Sequence, residues 1–336
     1  MENKLTTYAI NGFGRIGKLT LRVLLSKNAN VAFINDPKCT PEIVAYQLEF
    51  DSVHGRFDQS IKYNKSSIMI NGKEIFIYDK EDIKELPNGV ADIVIDCSGK
   101  FKSKSQFPLY ADLGIKKAII SAAVPDDVGI NIVYGVNQSV YKPMLHNVLS
   151  ASSCTTNCLA PVVKALHDSI GIKHGSYTTI HNVTNTQTIV DRPAKDLRRS
   201  RSALTNLIPS TTNSAKAITQ IYPELTNKLT GHAVRIPILN ASLVDCCFEM
   251  VRSTSIEEIN KTLKSYAEHQ LNGILGFEER PLVSSDYIGD SRSSIIDGVS
   301  TLVVNDTQVK IYAWYDNEFG YSNRLVDVAE LAGKFL

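Results

Sequence analysis

The stretch YAINGFGRIGKLTL, residues 8–21, restricts the fold more than any other. Three glycines, Gly12, Gly14 and Gly17, stand in the spacing G-x-G-x-x-G between a β-branched run and an amphipathic one. That context is what a dinucleotide-binding turn requires. Gly12 permits a tight turn, Gly14 lets backbone approach a pyrophosphate, and Gly17 lets helix and strand pack closely. The helix that opens there offers unpaired N–H groups and positive dipole to phosphate. The next β-branched run ends in FIND, placing Asp36 19 residues past Gly17. A carboxylate there hydrogen-bonds a ribose 2′-hydroxyl and repels a 2′-phosphate, which favours NAD over NADP.

The rest of the first half repeats the pattern. NVAFIND, ADIVIDCSG, KKAIISAA and INIVYGVN are short apolar runs separated by helix-length segments. Such alternation predicts βαβ units and a mostly parallel sheet. SSIMINGKEIFIY is the exception: two strands around Asn71-Gly72 predict a type I′ hairpin.

The pattern changes near residue 150. CLAPVVKALHDSIG reads as a helix ending at Gly171, HGSYTTIHNV as a strand, and residues 185–213 as a long polar segment. AVRIPILNASLVDCCFEMV reads as a strand pair or one bent strand. SIEEINKTLKSYAEHQ reads as a helix with a Ser255/Glu258 capping box. QVKIYAWYD is a last strand, and a helix closes the chain. The fold class expected is therefore two-domain α/β. A Rossmann-type NAD-binding domain spans 1–153, with the helix 319–336 packing back on it. An α+β catalytic domain with a mixed or antiparallel sheet spans 154–318.

Charge and cysteine content narrow the function. Lys and Arg number 36 against 35 Asp and Glu, a net charge of +1, so no field for nucleic acid exists and no dedicated nucleic-acid site is expected. No apolar run approaches the roughly 20 residues of a membrane span, and the N-terminus lacks a signal-peptide layout. A cytoplasmic protein is expected, its six cysteines thiols. No Cys-x-x-Cys pair or local histidine cluster suggests metal.

Two cysteines lie four apart in SASSCTTNCLAP, residues 150–161. Ser153, Thr155, Thr156 and Asn157 favour a cap over a helix interior, so Cys154 falls where a helix starts and Cys158 one turn inside. A thiol at a helix N-terminus has a depressed pKa and is a nucleophile. A buried cysteine is also an ordinary small hydrophobe, the reading taken for Cys158. Residue chemistry alone leaves both readings of Cys154 open. His181, at a strand end entering the polar segment, is the best-placed base.

INGFGRIG, FIND, SASSCTTNCLAP, TTIHNVTNTQ, KDLRRSRSA, LTGHAVRIP and WYDNEFGYSNR together resemble the phosphorylating glyceraldehyde-3-phosphate dehydrogenase family, along essentially the whole chain. The resemblance implies NAD-dependent oxidation of glyceraldehyde 3-phosphate with inorganic phosphate, in a homotetramer whose 185–205 loop lies at a subunit interface. Cys154 would be the nucleophile and His181 its base. Arg235 and Thr184 would hold the substrate phosphate, and Ser153, Thr155, Arg199, Thr212 and Asn213 would line the anion region. Arg15 and Ile16 would contact the dinucleotide, Ser121 the region near the nicotinamide, Asn317 its carboxamide, with Tyr321 beside it. Asn213 stands where the family has glycine. Lys80 offers only a rough counterpart to the family's adenine-side arginine, and Lys100 replaces an uncharged residue. EFDSVHGR, HNVTNTQTIVD and GHAVR also resemble a subfamily proposed to make an arsenate ester for export. An erythrose-4-phosphate dehydrogenase and a non-enzymatic RNA-binding or interaction protein are the further alternatives.

Overall fold

The G-x-G-x-x-G turn sits at the centre of a nine-stranded sheet. The computed structural model describes residues 5–101 and 103–336. By contacts the chain divides into two units. One comprises residues 1–134, 138–152 and 322–336; the other comprises 135–137 and 153–321.

In the first unit, β1 (Thr7–Asn11) leads through the glycine turn into α1 (Arg15–Ser26), then β2 (Asn30–Asn35) and α2 (Pro41–Glu49). A meander follows: β3 (Ile61–Tyr63), β4 (Ser67–Ile70) and β5 (Lys73–Tyr78). Then come β6 (Ile93–Asp96), the short α3 (Phe107–Ala111), β7 (Lys117–Ile120), β8 (Ile130–Asn131) and β9 (Val148–Ser150). The strand order is β3-β4-β5-β2-β1-β6-β7-β9-β8, parallel except in the β3–β4–β5 meander. Asn71 and Gly72 at its hairpin both have positive φ, 51° and 76°, as a type I′ turn demands. The apolar runs are buried on both faces: Ile93, Val94 and Ile95 of β6 are at most 1% exposed.

The order reverses between β1 and β6, and Gly12 lies at that switch point. Its φ is +95°, and a Cβ would stand 2.6 Å from the Ser98 nitrogen. A Cβ on Gly17 would collide with the Gly12 carbonyl, so both positions exclude any side chain. Beside Gly14 the space is open, and α1 starts there without a side-chain cap. This cradle fits a pyrophosphate.

α1 is fixed by a buried ion cluster. The Asp51 carboxylate, wholly buried, meets Arg15 Nη1 and Lys18 Nζ, each at 2.5 Å. Its other oxygen accepts from the Val53 and His54 nitrogens at 2.8 and 3.0 Å. Burial alone would raise its pKa; the Lys18 ammonium, the His54 N–H, Arg15 and the Val53 N–H outweigh that and hold it well below the usual carboxylate range.

The second unit is built on the sheet β11-β12-β10-β13-β17-β15-β14. α4 (Cys154–Ser169) is followed by β10 (Ile172–Asn182), β11 (Ile208–Thr211), α5 (Ser214–Ile221), β12 (Leu229–Ile236) and β13 (Ser242–Met250). Next are α6 (Ile256–Glu268), β14 (Leu275–Glu278), β15 (Ser294–Asp297), β16 (Leu302–Val304) and β17 (Gln308–Tyr315); α7 (Phe319–Gly333) belongs from residue 322 onward to the first unit. β16 pairs only with β17.

Two local expectations fail. β12 and β13 are neither a hairpin nor one bent strand. β10 lies between them, parallel to β12 and antiparallel to β13. The capping box of α6 is half made: Ser255 accepts from the Glu258 nitrogen, but the Glu258 carboxylate turns to Arg252 and Thr254. A nearby guanidinium outcompetes a backbone N–H for a carboxylate.

Asp51→Asn is expected to cost about 3 kcal/mol at neutral pH, because it strands two largely buried cations. Since the folded carboxyl titrates below its unfolded value of about 3.9, its contribution is complete above that value and is lost as pH falls toward the folded pKa. Urea midpoints at pH 7 and 3 should therefore show a smaller difference between parent and variant at pH 3.

Candidate active site

Sequence puts Cys154 at the first position of α4. Ser152, with φ +58°, bends the chain into an αL turn that few serines adopt. Ser153 then caps the helix, its Oγ accepting from the Thr156 nitrogen at 3.1 Å. Asn157 ties the same turn through Nδ2 to the Ser153 carbonyl, 2.9 Å. The thiol thus faces the open end of a helix.

His181 comes to it from β10. Tyr177, Thr179 and His181 alternate along one buried face of that strand. His181 Nε2 lies 3.5 Å from Cys154 Sγ. Arg235 arrives by register: in the parallel β10–β12 pair, His181 is opposite Arg235. Its Nη1 lies 2.5 Å from His181 Nδ1 and 3.1 Å from the Asn182 carbonyl oxygen. His181 Nδ1 also lies 2.8 Å from the Asn182 carbonyl oxygen, so this nitrogen meets a donor, Arg235, and an acceptor, the carbonyl, at once. Arg235 Nε is buried with no hydrogen-bond partner among the described residues. An unsatisfied guanidinium donor in a site is an invitation to an oxyanion.

The electrostatics follow. Burial pushes the Cys154 thiol up, contrary to the expected depression. Arg235, the Thr155 hydroxyl and N–H, and the Cys154 N–H pull the other way without prevailing. Burial, then Arg235, drives His181 down to about 3. Burial thus works against the charged form of both groups, while Arg235 favours the thiolate and opposes the imidazolium.

Around this pair sit groups the sequence did not single out. Tyr315, at the end of β17, packs its ring edge-on to His181 at 6.0 Å. Its buried hydroxyl meets Thr155 Oγ1 at 3.1 Å and Thr179 Oγ1 at 2.8 Å, joining α4 to the sheet. Thr155 therefore turns its hydroxyl to Tyr315 and to sulfur. The second residue of α4 faces inward, where β17 supplies the partner. Ser242 Oγ accepts from the Asn182 nitrogen at 3.2 Å and lies 2.9 Å from Asn317 Oδ1, to which it donates. That leaves the Asn317 amide nitrogen as the donor to an incoming carbonyl. Asp316 caps α7 through the Glu318 and Phe319 nitrogens, which fixes the turn from Asn317 to Tyr321. These partners were invisible because they depend on strand order.

The remaining candidates fall in both units. The Thr184 hydroxyl donates to Gln187 Oε1 at 2.9 Å. Arg199 reaches Ser210 Oγ at 2.7 Å and the Asp196 carboxylate at 3.3 Å. Its charge is close enough to lower the Arg235 pKa, though burial lowers it more. Ser153, Thr212 and Ser214 form a hydroxyl cluster. Asn213 neither takes a positive φ nor caps α5 with its side chain. At φ −100° it is exposed and unstrained, so the replacement of glycine needs no backbone distortion. In the first unit Asp36 accepts from the Phe13 nitrogen at 2.8 Å and the Lys38 nitrogen at 3.0 Å, bracing the glycine turn. Each oxygen retains a lone pair for a ribose hydroxyl. The Arg15 guanidinium is committed to Asp51, which leaves its backbone, with that of Ile16, to face a phosphate. Ser121 closes β7 with its nitrogen on the Asp96 carbonyl.

Replacing Arg235 by Gln removes a cation that lowers both pKa values. The midpoint of Cys154 alkylation by iodoacetamide should move to higher pH, and the His181 imidazole should titrate nearer its usual 6.5 by NMR. An unchanged or lower alkylation midpoint would contradict the assigned contact.

Two family models match. The glyceraldehyde 3-phosphate dehydrogenase NAD binding domain covers residues 6–104, and the C-terminal domain of the same family covers 153–317. Glyceraldehyde-3-phosphate dehydrogenase 3 of Nostoc sp. is 52% identical over 95% of this chain and 96% of its own. Glyceraldehyde-3-phosphate dehydrogenase 1 of Bacillus cereus is 46% identical over 97% and 98%. An enzyme of the same name, numbered 3, from Saccharomyces cerevisiae is 43% identical over 97% and 98%. With a thiol, an imidazole and an anion-seeking arginine in one site behind a dinucleotide cradle in the sequence, the chain belongs to the glyceraldehyde-3-phosphate dehydrogenase family.

Proposed function

We propose that this chain oxidises glyceraldehyde 3-phosphate to 1,3-bisphosphoglycerate with NAD and inorganic phosphate, Cys154 acting as nucleophile and His181 as general base. The observation that carries the reading is the Cys154–His181 contact of 3.5 Å with Arg235 opposite His181 in the strand register. The first unit binds NAD and the second performs the chemistry. NAD, when bound, accepts the hydride that leaves the substrate carbon.

The steps assigned to the protein's own groups are these. The substrate phosphate draws Arg235 off Nδ1, with Thr184 as a second donor. With Nδ1–H donating to the Asn182 carbonyl, 2.8 Å away, the Nε2 lone pair faces the reacting centre. Neutralising Arg235 also removes one of the two causes that depress His181. The Cys154 S–H bond breaks as sulfur bonds to the aldehyde carbon, and His181 Nε2 passes the thiol proton to the carbonyl oxygen, giving a thiohemiacetal. His181 Nε2 takes the hydroxyl proton as hydride departs, which leaves a thioester. A phosphate oxygen attacks the thioester carbonyl. The C–S bond breaks, the acyl phosphate leaves and the thiolate returns. Ser153, Thr212 and Arg199 hold that second anion.

The similarity to named glyceraldehyde-3-phosphate dehydrogenases along nearly the whole chain favours phosphate over the arsenate-using and erythrose-4-phosphate readings. A homotetramer is supported by the exposed apolar residues Ile189, Val190, Leu197, Leu204 and Leu207 on the 185–207 segment. A cytoplasmic location is supported by six free thiols and by the family; no helix among the described residues is long and apolar enough to cross a membrane.

NADH formation from glyceraldehyde 3-phosphate should require phosphate or arsenate for sustained turnover. Cys154→Ser should lower it at least about a thousandfold, and His181→Asn about 10²- to 10⁴-fold. Turnover surviving in the serine variant would sink the mechanism. A clear preference for arsenate would transfer the chain to the arsenate-ester reading. Light scattering should give the mass of four chains.

A further inference from the structure

Ser214 opens α5 and is 2% exposed, yet neither composition nor motif marks it. Its Oγ lies 3.4 Å from Ser153 Oγ and 3.3 Å from Thr212 Oγ1. The row continues at both ends. Ser153 Oγ meets Thr156 Oγ1 at 2.7 Å, and the Tyr177 hydroxyl donates to Thr212 Oγ1 at 3.5 Å while accepting from the Ala215 nitrogen at 2.9 Å. The Tyr177 ring is seated on Gly231, where a Cβ would stand 2.5 Å from ring carbons, so this end of the row is fixed.

A hydroxyl carries one proton and accepts through two lone pairs. Without an anion, Thr212 gives its proton to Ser214. For Ser153 and Thr212 to hold an anion, both protons must turn outward, and the lone pairs left behind need donors. Tyr177 and the Ser214 nitrogen, 3.3 Å away, serve Thr212. For Ser153, the Thr156 N–H at 3.1 Å serves one lone pair, and Ser214 Oγ–H, beside Thr156 Oγ1, is placed to serve the other. Hydroxyls in a row reorient together, and each donor received strengthens the next donation.

We propose that Ser214 is a positioning residue for the attacking anion: it orients the Ser153 and Thr212 hydroxyls and so sets the affinity for phosphate or another tetrahedral oxyanion in the second half-reaction. The proposal rests on the assignment of Ser153 and Thr212 to that anion. Ser214 touches neither the aldehyde nor the thiol, so the first half-reaction is independent of it.

The test is Ser214→Ala, conservative at a helix start. Three quantities are read: the apparent KM for inorganic phosphate, the KM for the aldehyde, and the pre-steady-state burst of NADH without phosphate. The expected result is a KM for phosphate about three- to tenfold higher, the loss of one neutral hydrogen bond, with aldehyde KM and burst rate unchanged. Tyr177→Phe should move the same constant the same way, and it carries the test if the alanine variant does not accumulate as folded protein. An unchanged KM for phosphate overturns the proposal. So does a burst slowed in parallel, the mark of a merely structural residue. Ser153→Ala and Thr212→Ala separate the two failures. If they raise the phosphate KM and Ser214→Ala does not, only the positioning role fails; if neither raises it, the anion assignment fails and the proposal with it.

Discussion

The parallel pairing of β10 with β12 is the constraint on which the catalytic unit depends. It sets His181 and Arg235 side by side, and after burial that adjacency is the largest influence on the imidazole. A slip of one residue would send one of the two to the opposite face of the sheet. The register is held by what lies beneath it: Tyr177 and Thr179 on the same face of β10, α4 against them, and the Tyr315 hydroxyl joining Thr179 to Thr155. The short first turn of α4, closed by Ser153 and Asn157, then delivers sulfur to the imidazole.

In the dinucleotide-binding unit the same logic is carried by exclusion. Gly12 and Gly17 are required because other atoms occupy the places their side chains would take, whereas Gly14 borders open space. Asp51 supplies what the glycines cannot. By gathering Arg15, Lys18 and two backbone N–H groups, it holds the first turn of α1 and keeps a guanidinium out of the phosphate cradle. Binding there relies on backbone N–H groups and helix dipole, which are pre-oriented and need no side-chain ordering.

What could be read in the sequence was local. The glycine spacing, the hairpin at Asn71-Gly72, the start of α4 at Cys154 and the period of β10 each depend on residues within a turn or two of one another. The sequence misled where the deciding partner was distant. β12 and β13 read as a pair because they are consecutive, yet β10 inserts between them. The partner of the Thr155 hydroxyl, Tyr315, lies 160 residues away and has no local signal. Glu258 occupied the capping-box position, yet Arg252 took its carboxylate. Asn213 attracted notice as a replaced glycine, while Ser214 beside it, which does enter the hydroxyl cluster, has no local signature.

The expected depression of the Cys154 pKa failed for an instructive reason. A helix N-terminus, an arginine and two Thr155 donors all favour the thiolate, but the sulfur is buried, and desolvation is the largest cause acting on it. The same burial that raises the thiol lowers the imidazole. Arg235 is the one nearby group named in both shifts: it stabilises the thiolate and suppresses the imidazolium. In the proposed mechanism, a substrate phosphate on Arg235 would change the balance at both reacting groups, so selection of a phosphorylated aldehyde would draw on the proton inventory of the site as well as on the binding contact.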